Sequence, residues 1–282
     1  MRKEIKVEAK QEALTLLTDV AYAHVDYWFD GATYRDMKMS LIFPKIRTKE
    51  MKRPVILWLC GGGFLTMECN VWLPQLVHLA ERGYIIASPQ YRTVNEGMHP
   101  CAIQDIKASI RFLRAHADCY GVDPDHIFIM GESAGATLAI LTSVTSGERE
   151  FEVGEYLDYS SDVQGVVDFY GISDVKSIYE GAKDVPPRTL MKITAPFFEG
   201  VEVETSAITK VTENTPPTLI LHGAEDALAP ISQSVRYYET LEKAGVETDL
   251  YIFEGAGHGD ARFYQEEVYE IIDNFLQGLV KA

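Results

Sequence analysis

Ser133, held in the run Gly131-Glu132-Ser133-Ala134-Gly135, is where this sequence first offers chemistry. A serine hydroxyl is a weak nucleophile at neutral pH, so it attacks an acyl carbon only when a neighbouring base takes its proton. The chain must therefore supply a base, an acid to orient that base, and donors for the oxyanion that forms. The G-x-S-x-G spacing fits a tight strand-to-helix corner. The apolar run Ile127 to Met130 precedes it as a buried strand, and Ala134, Thr137, Leu138 and Leu141 share one helical face behind it. Such a corner strains its central residue by on the order of 1–3 kcal/mol. It also needs small residues two positions to either side, which Gly131 and Gly135 provide. The hydroxyl then projects off the sheet, with the Ala134 N–H at a helix N-terminus where a negative oxygen is stabilised.

Three other places carry groups that could join Ser133. The run Cys60-Gly61-Gly62-Gly63-Phe64 follows an apolar strand, and consecutive glycines let a backbone come close to a ligand. Asp226 lies in HGAEDALAP, after the apolar run Thr218 to Leu221. His258 lies in GAGHG, where no packing partner explains a histidine. Each of the four follows a strand, and in an open parallel sheet the carboxyl ends of strands border one crevice.

The elements that position them read as follows. Residues 20–31 and 36–43 form two antiparallel strands joined near Asp30-Gly31. Val55–Leu59 is a buried strand, a helix around Leu73–Ala80 is closed by Gly83, and Tyr84–Ser88 is the next strand. Ile103, Ile106, Ile110 and Leu113 mark a helix over residues 101–117. Residues 163–170 give another strand. Residues 171–215 are irregular, with Pro186-Pro187 and Phe197-Phe198, and read as a short lid over the sheet edge. A strand at 218–221, a helix at 232–244, a strand at 248–253 and a helix at 264–280 complete the chain. Alternating strands and helices imply a mostly parallel sheet covered by helices on both faces, in one domain over residues 1–282.

Composition narrows the function. The chain has 282 residues, 46% of them hydrophobic, enough for a sizeable core. With 42 acidic against 26 basic residues its net charge is −16, which opposes nucleic acid and anionic membrane surfaces. Cys60, Cys69, Cys101 and Cys119 lack metal-like spacing and are expected to stay reduced. Thr15, Thr18 and Asp19 interrupt the apolar N-terminal stretch, so neither a cleaved leader nor a membrane span is expected, and the reading is a soluble cytoplasmic protein.

Taken together, CGGGF at 60–64, GESAG at 131–135, HGAEDALAP at 222–230 and GAGHG at 255–259 resemble the α/β-hydrolase fold family, in its esterase/lipase branch with an HGGG-type loop. Tyr91-Arg92 and HPCAIQDIKASIRFL at 99–113 are similar to that branch too. The resemblance covers the chain from about residue 20, and its subgroup looks like the small bacterial carboxylesterases that include acetyl-xylan and feruloyl esterases. The order of Ser133, Asp226 and His258 is that family's nucleophile, acid and histidine.

The resemblance implies Ser133 as nucleophile, His258 as general base and later acid, and Asp226 as the group that orients the imidazole. It makes the amides of Gly62, Gly63 and Ala134 the oxyanion hole. One departure is Cys60, where the family has a histidine; the donors are backbone amides, so catalysis should survive. Phe64, Trp72 and Tyr91 are candidates for the substrate pocket, with Phe197 and Phe198 as further aromatic walls. No metal or organic cofactor is implied.

Among other residues, Glu132 reads as a buried hydrogen-bonding group and Asp226 is preferred over Glu225, Asp168 and Asp260 by its offset from His222-Gly223. His222 reads as packing beneath the acid turn. His24, His78, His116 and His126 read as surface or helix-end residues, and His99 as the start of a helix. The expected activity is hydrolysis of short acyl esters through an acyl-enzyme, with deacetylation of carbohydrates as the substrate expectation. An arylformamidase or small peptidase acting on amides, and a binding protein without turnover, are the alternatives. The partner is a small-molecule or oligosaccharide ester; a homodimer is admitted.

Overall fold

A computed structural model describes residues 1–26, 33–45, 51–181 and 194–281, without the side chains of Ala195 and Phe197. Among the described residues, eight strands form one sheet: β1 (Leu14–Asp26), β2 (Tyr34–Pro44), β3 (Arg53–Leu59), β4 (Ile85–Pro89), β5 (Val122–Glu132), β6 (Gly165–Phe169), β7 (Thr218–Gly223) and β8 (Thr248–Phe253). Their order is β1-β2-β4-β3-β5-β6-β7-β8. The β1–β2 and β2–β4 pairs are antiparallel, and every pair from β4 to β8 is parallel. This is the expected mostly parallel sheet.

The central strands are apolar at nearly every position because helices cover both faces. Along β3, Val55, Leu57 and Leu59 join the core on one side, while Ile56 and Trp58 join the other. The first core is closed by α2 (Cys101–Ala115), α3 (Ala117–Tyr120), α4 (Ala134–Val144) and α6 (Ser232–Ala244); the second by α1 (Leu73–Glu81) and α7 (Glu266–Lys281). Gly121 and Gly245 end α3 and α6 in the left-handed conformation, where a side chain would be strained.

Two expectations shift. β1 begins at Leu14 rather than at residue 20, because register breaks between Leu17 and Val20, with Asp19 at φ 59°, and disrupts the alternation that marks a strand. The turn expected near Asp30-Gly31 lies outside the described residues. The excursion over 171–215 contains α5 (Val175–Gly181) and short 3-10 turns at Ala195–Phe198 and Ala207–Thr209; residues 182–193, including Pro186-Pro187, lie outside the description. Among the described residues, no helix is long and apolar enough to cross a membrane.

Candidate active site

Ser133 sits between β5 and α4 with φ 54° and ψ −122°. An L-residue takes this conformation only where its surroundings compel it. Both neighbouring glycines are sterically required: a Cβ on Gly131 would lie 2.7 Å from the Gly135 backbone, and one on Gly135 would lie 2.1 Å from the carbonyl oxygen of Leu59. The Ser133 amide donates to the Phe169 carbonyl at 2.9 Å, fixing the corner to β6.

Asp226 stands in the turn after β7. Its Oδ1 accepts from the amides of Leu228 (2.8 Å) and Ala229 (2.9 Å), leaving Oδ2 for His258 Nδ1 at 2.7 Å. The carboxylate is fully buried. Burial pushes its pKa up, but the hydrogen bond from His258 and those of the two amides outweigh it, so Asp226 ends below the ordinary carboxylate range. His258 Nε2 lies 2.8 Å from Ser133 Oγ. With Nδ1–H donating to Asp226, the free lone pair is on Nε2, where a base for the Ser133 hydroxyl must carry it. The turns after β7 and β8 are packed so closely that a Cβ on Gly223 would lie 2.3 Å from the Ala256 carbonyl oxygen.

The loop after β3 packs against the serine corner: a Cβ on Gly135 would lie 2.8 Å from the Cys60 backbone carbon. Gly62 and Gly63 have φ of 134° and 61°. A Cβ on Gly62 would lie 2.0 Å from the Thr66 carbonyl oxygen, so only glycine makes this bend. Gly62 O accepts from the amides of Leu65 and Thr66, both at 3.2 Å. Among the described residues, no protein group accepts from the Gly62, Gly63 or Ala134 amides. Several contacts hold the loop, among them Val94 N–H to the Phe64 carbonyl at 3.0 Å and Asn95 Nδ2 to the Leu65 carbonyl at 2.8 Å. The Gly61 amide donates to Glu132 Oε1 at 2.6 Å, and the Tyr91 hydroxyl donates to the Cys60 carbonyl. Glu132 also accepts from Trp72 Nε1 at 3.3 Å. Burial raises the Glu132 pKa, opposed by the Gly61 and Trp72 hydrogen bonds. Cys60 is buried, and burial, with the Glu132 charge, pushes its thiol up to about 12, so it remains an uncharged thiol beside the loop.

A recess of about 490 Å³, its open mouth included, lies beside the loop; Phe64, Tyr91, Leu138, Leu141, Val175 and Phe198 are among its walls. Phe64 meets Phe198 edge-on, with ring centroids 5.0 Å apart. Trp72 stands apart from it, its indole stacked on Tyr264 at 4.7 Å and its N–H on Glu132. Tyr91 contributes its buried ring and has its hydroxyl engaged. Phe197 belongs to the side chains left undescribed.

His222 is buried, with Nδ1 2.6 Å from Ser234 Oγ and Nε2 donating to the Ala229 carbonyl at 3.0 Å. It supports the turn that carries Asp226, as its place at the end of β7 suggests. Tyr170 is a participant that sequence reasoning did not single out. At φ 47° and fully buried, it packs its ring 4.6 Å from that of His258. Its position one residue past a strand end was the available signal.

The BD-FAE family matches residues 39–241, a span holding the Gly61-Gly62-Gly63 loop, Ser133 and Asp226. The chain belongs to the BD-FAE family, among the α/β-hydrolase serine esterases. Similar curated proteins include the probable carboxylic ester hydrolase LipM of Mycobacterium tuberculosis, 29% identical over 203 residues (70% of this chain, 47% of that protein). The esterase LipC of the same organism is 30% identical over 212 residues (73% and 53%). The probable isoprenylcysteine alpha-carbonyl methylesterase ICMEL1 of Arabidopsis thaliana is 28% identical over 255 residues (86% and 52%). This BD-FAE chain thus spans about half the length of these relatives. Among solved structures, a truncated carbohydrate esterase from gut microbiota superimposes with a TM-score of 0.79 at 24% identity, covering 98% of this chain and 100% of that one. The butyrate-bound esterase of Thermogutta terrifontis gives 0.75 at 27% identity, covering 91% and 94%.

Proposed function

We propose that this BD-FAE protein is a serine carboxylic-ester hydrolase that works through an acyl-enzyme. The observation that carries the reading is the continuous hydrogen-bonded line from Asp226 Oδ2 through His258 to Ser133 Oγ, at 2.7 and 2.8 Å; among the described residues, the Gly62, Gly63 and Ala134 amides have no protein acceptor. In this reading Ser133 Oγ attacks the ester carbonyl carbon while His258 Nε2 takes its proton, and Asp226 holds the imidazolium in place. The carbonyl oxygen becomes an oxyanion and accepts from Gly62, Gly63 and Ala134, each such donor contributing about 10²–10³ in rate. Collapse breaks the bond to the alcohol, which leaves with the proton from His258. Water, activated by the same imidazole, then releases the acid and restores the serine.

The finer reading is action on short acyl esters, with acetylated carbohydrates as substrates. It is supported by the resemblance to small carboxylesterases and by the likeness to a gut carbohydrate esterase. The test is acetate release from an acetylated xylo-oligosaccharide beside turnover of p-nitrophenyl esters, with Ser133→Ala as control. Serine-dependent release from both supports the full reading. Serine-dependent turnover of the nitrophenyl esters alone leaves the esterase and removes the carbohydrate. Serine-independent rates on both overturn the hydrolase.

A further inference from the structure

Resting on the ester-hydrolase reading, we infer that Tyr170 is a positioning residue: its ring holds the His258 imidazole in line while the acyl-enzyme is hydrolysed, when the Ser133 hydroxyl no longer can.

The need arises from the chemistry of the second step. Before acylation the imidazole is held at both ends, by Asp226 Oδ2 at 2.7 Å and by Ser133 Oγ at 2.8 Å. Once the alcohol has left with the proton and Oγ carries the acyl group, neither Oγ nor Nε2 has a proton to share, and that hydrogen bond is lost. Asp226 alone then holds the ring. Yet Nε2 must still take a proton from water as the water oxygen bonds to the acyl carbon, and return it to Oγ as the bond between Oγ and the acyl carbon breaks.

The backbone around His258 supplies little of the missing restraint. A Cβ on Gly257 would come no nearer than 3.9 Å to its surroundings, at the Glu225 carbonyl oxygen, and one on Gly259 would meet nothing within 4 Å among the described residues. The loop is tied down two residues before His258, where the Ala256 carbonyl accepts from the Glu225 amide at 3.0 Å. Packing on the imidazole itself must do the rest.

Tyr170 provides that packing. Its ring centroid lies 4.6 Å from that of His258, with the planes 58° apart. Phe263 at 4.7 Å and His222 at 6.4 Å pack on the same tyrosine ring, and all three side chains that hold each other here are nearly or wholly buried, so the ring has little room to retreat. Its backbone is equally constrained. The Tyr170 amide donates to the Leu221 carbonyl at 2.9 Å, and its φ of 47° is a strained value for a bulky residue, which persists where the surroundings over-determine it. The preceding residue, Phe169, accepts from the Ser133 amide at 2.9 Å. Consecutive residues at the end of β6 therefore fix the nucleophile's corner and press on its base. Burial pushes the Tyr170 hydroxyl well above the ordinary phenol range, with Tyr264 and the Glu132 and Asp226 charges adding to it, so the ring meets the imidazole uncharged.

The test is kcat, KM and the first-turnover release of nitrophenolate from p-nitrophenyl butyrate, below each variant's melting temperature, for the wild type, Ser133→Ala, Tyr170→Leu, Tyr170→Phe and Phe263→Leu. Tyr170→Leu should lower kcat about 10²-fold, the effect of a misplacement of about 1 Å. Since kcat/KM ends at acylation, it should fall less than about tenfold, with KM falling alongside kcat. A burst of about one equivalent should precede the slow steady state, because the acyl-enzyme accumulates. Tyr170→Phe keeps the ring and should bring kcat back to within about threefold of the wild type. Where Tyr170→Leu does not fold, Phe263→Leu, which keeps Tyr170 but loosens its support, should show the same split at about tenfold in kcat. Serine-dependent turnover in which kcat and kcat/KM fall together, in which kcat stays within about threefold in both leucine variants, or in which Tyr170→Phe is as slow as Tyr170→Leu, overturns the positioning role and leaves the esterase standing. A wild type without serine-dependent turnover overturns both.

Discussion

Replacing Glu132 with alanine should damage catalysis without touching a reacting atom. Its carboxylate accepts from the Gly61 amide at 2.6 Å and from Trp72 Nε1 at 3.3 Å, inside a site where Glu132 is 8% exposed. Truncation strands both donors. A buried donor without a partner costs about 1–3 kcal/mol; with Trp72 only partly buried, the loss should be about 2–4 kcal/mol. For a protein of this size each kcal/mol moves the melting temperature by about 2–4 °C, giving a drop of about 4–16 °C. The second effect is on rate. Gly61 adjoins the two amides proposed to receive the oxyanion, and a 1 Å misplacement of such groups costs about 10² in rate. The assay is kcat and KM on p-nitrophenyl butyrate below the variant's melting temperature, beside a thermal melt. Glu132→Ala should lose about 10² in kcat with KM little changed, since the donors act on charge that develops in the transition state. Glu132→Gln keeps an oxygen for Gly61 and should recover most of that loss. A Glu132→Ala enzyme that melts with the wild type and keeps its kcat would refute the tether.

Two further outcomes concern stability. Asp168 is buried on β6 with Oδ2 lacking a hydrogen-bond partner among the described residues; burial raises its pKa to about 7, opposed by the Gly171 amide. Since the folded pKa lies above the unfolded one, its contribution to stability is full below the ordinary carboxylate range and is lost as pH rises through about 7. Asp168→Asn should therefore gain melting temperature relative to wild type between pH 5 and pH 8, and parallel melting curves across that range would count against this. Glu152 accepts from the buried cations Lys107, at 3.1 Å, and Arg111. Glu152→Ala leaves both without their carboxylate and should cost about 3–5 kcal/mol in urea unfolding.

Much of this site was legible because its chemistry imposes local rules on sequence. A serine at a strained corner demands Gly131 and Gly135, and a loop that turns amides inward demands Gly62; these requirements show as short motifs. The helix at 232–244 and the strand at 248–253 match their expected bounds because periodicity there is uninterrupted. What was not legible depends on contacts between distant segments. Glu132 reads as a buried hydrogen-bonding residue, but its partners Gly61 and Trp72 lie 71 and 60 residues away, and nothing local names them. The same distance explains Trp72, whose aromatic character suggests a pocket wall while its N–H is committed to Glu132. The early start of β1 stayed hidden because the irregularity at Asp19 breaks the period of two.

Covalent trapping asks whether Ser133 is the nucleophile, made reactive by His258 and Asp226. The protein is treated with a p-nitrophenyl phosphonate, nitrophenolate release is followed, and the labelled peptide is found by mass spectrometry. One equivalent should be released, with the adduct on Ser133. Ser133→Ala should show no adduct, and His258→Ala should slow labelling by at least about 10³. An adduct on another residue, or labelling of Ser133→Ala at the wild-type rate, would contradict the claim.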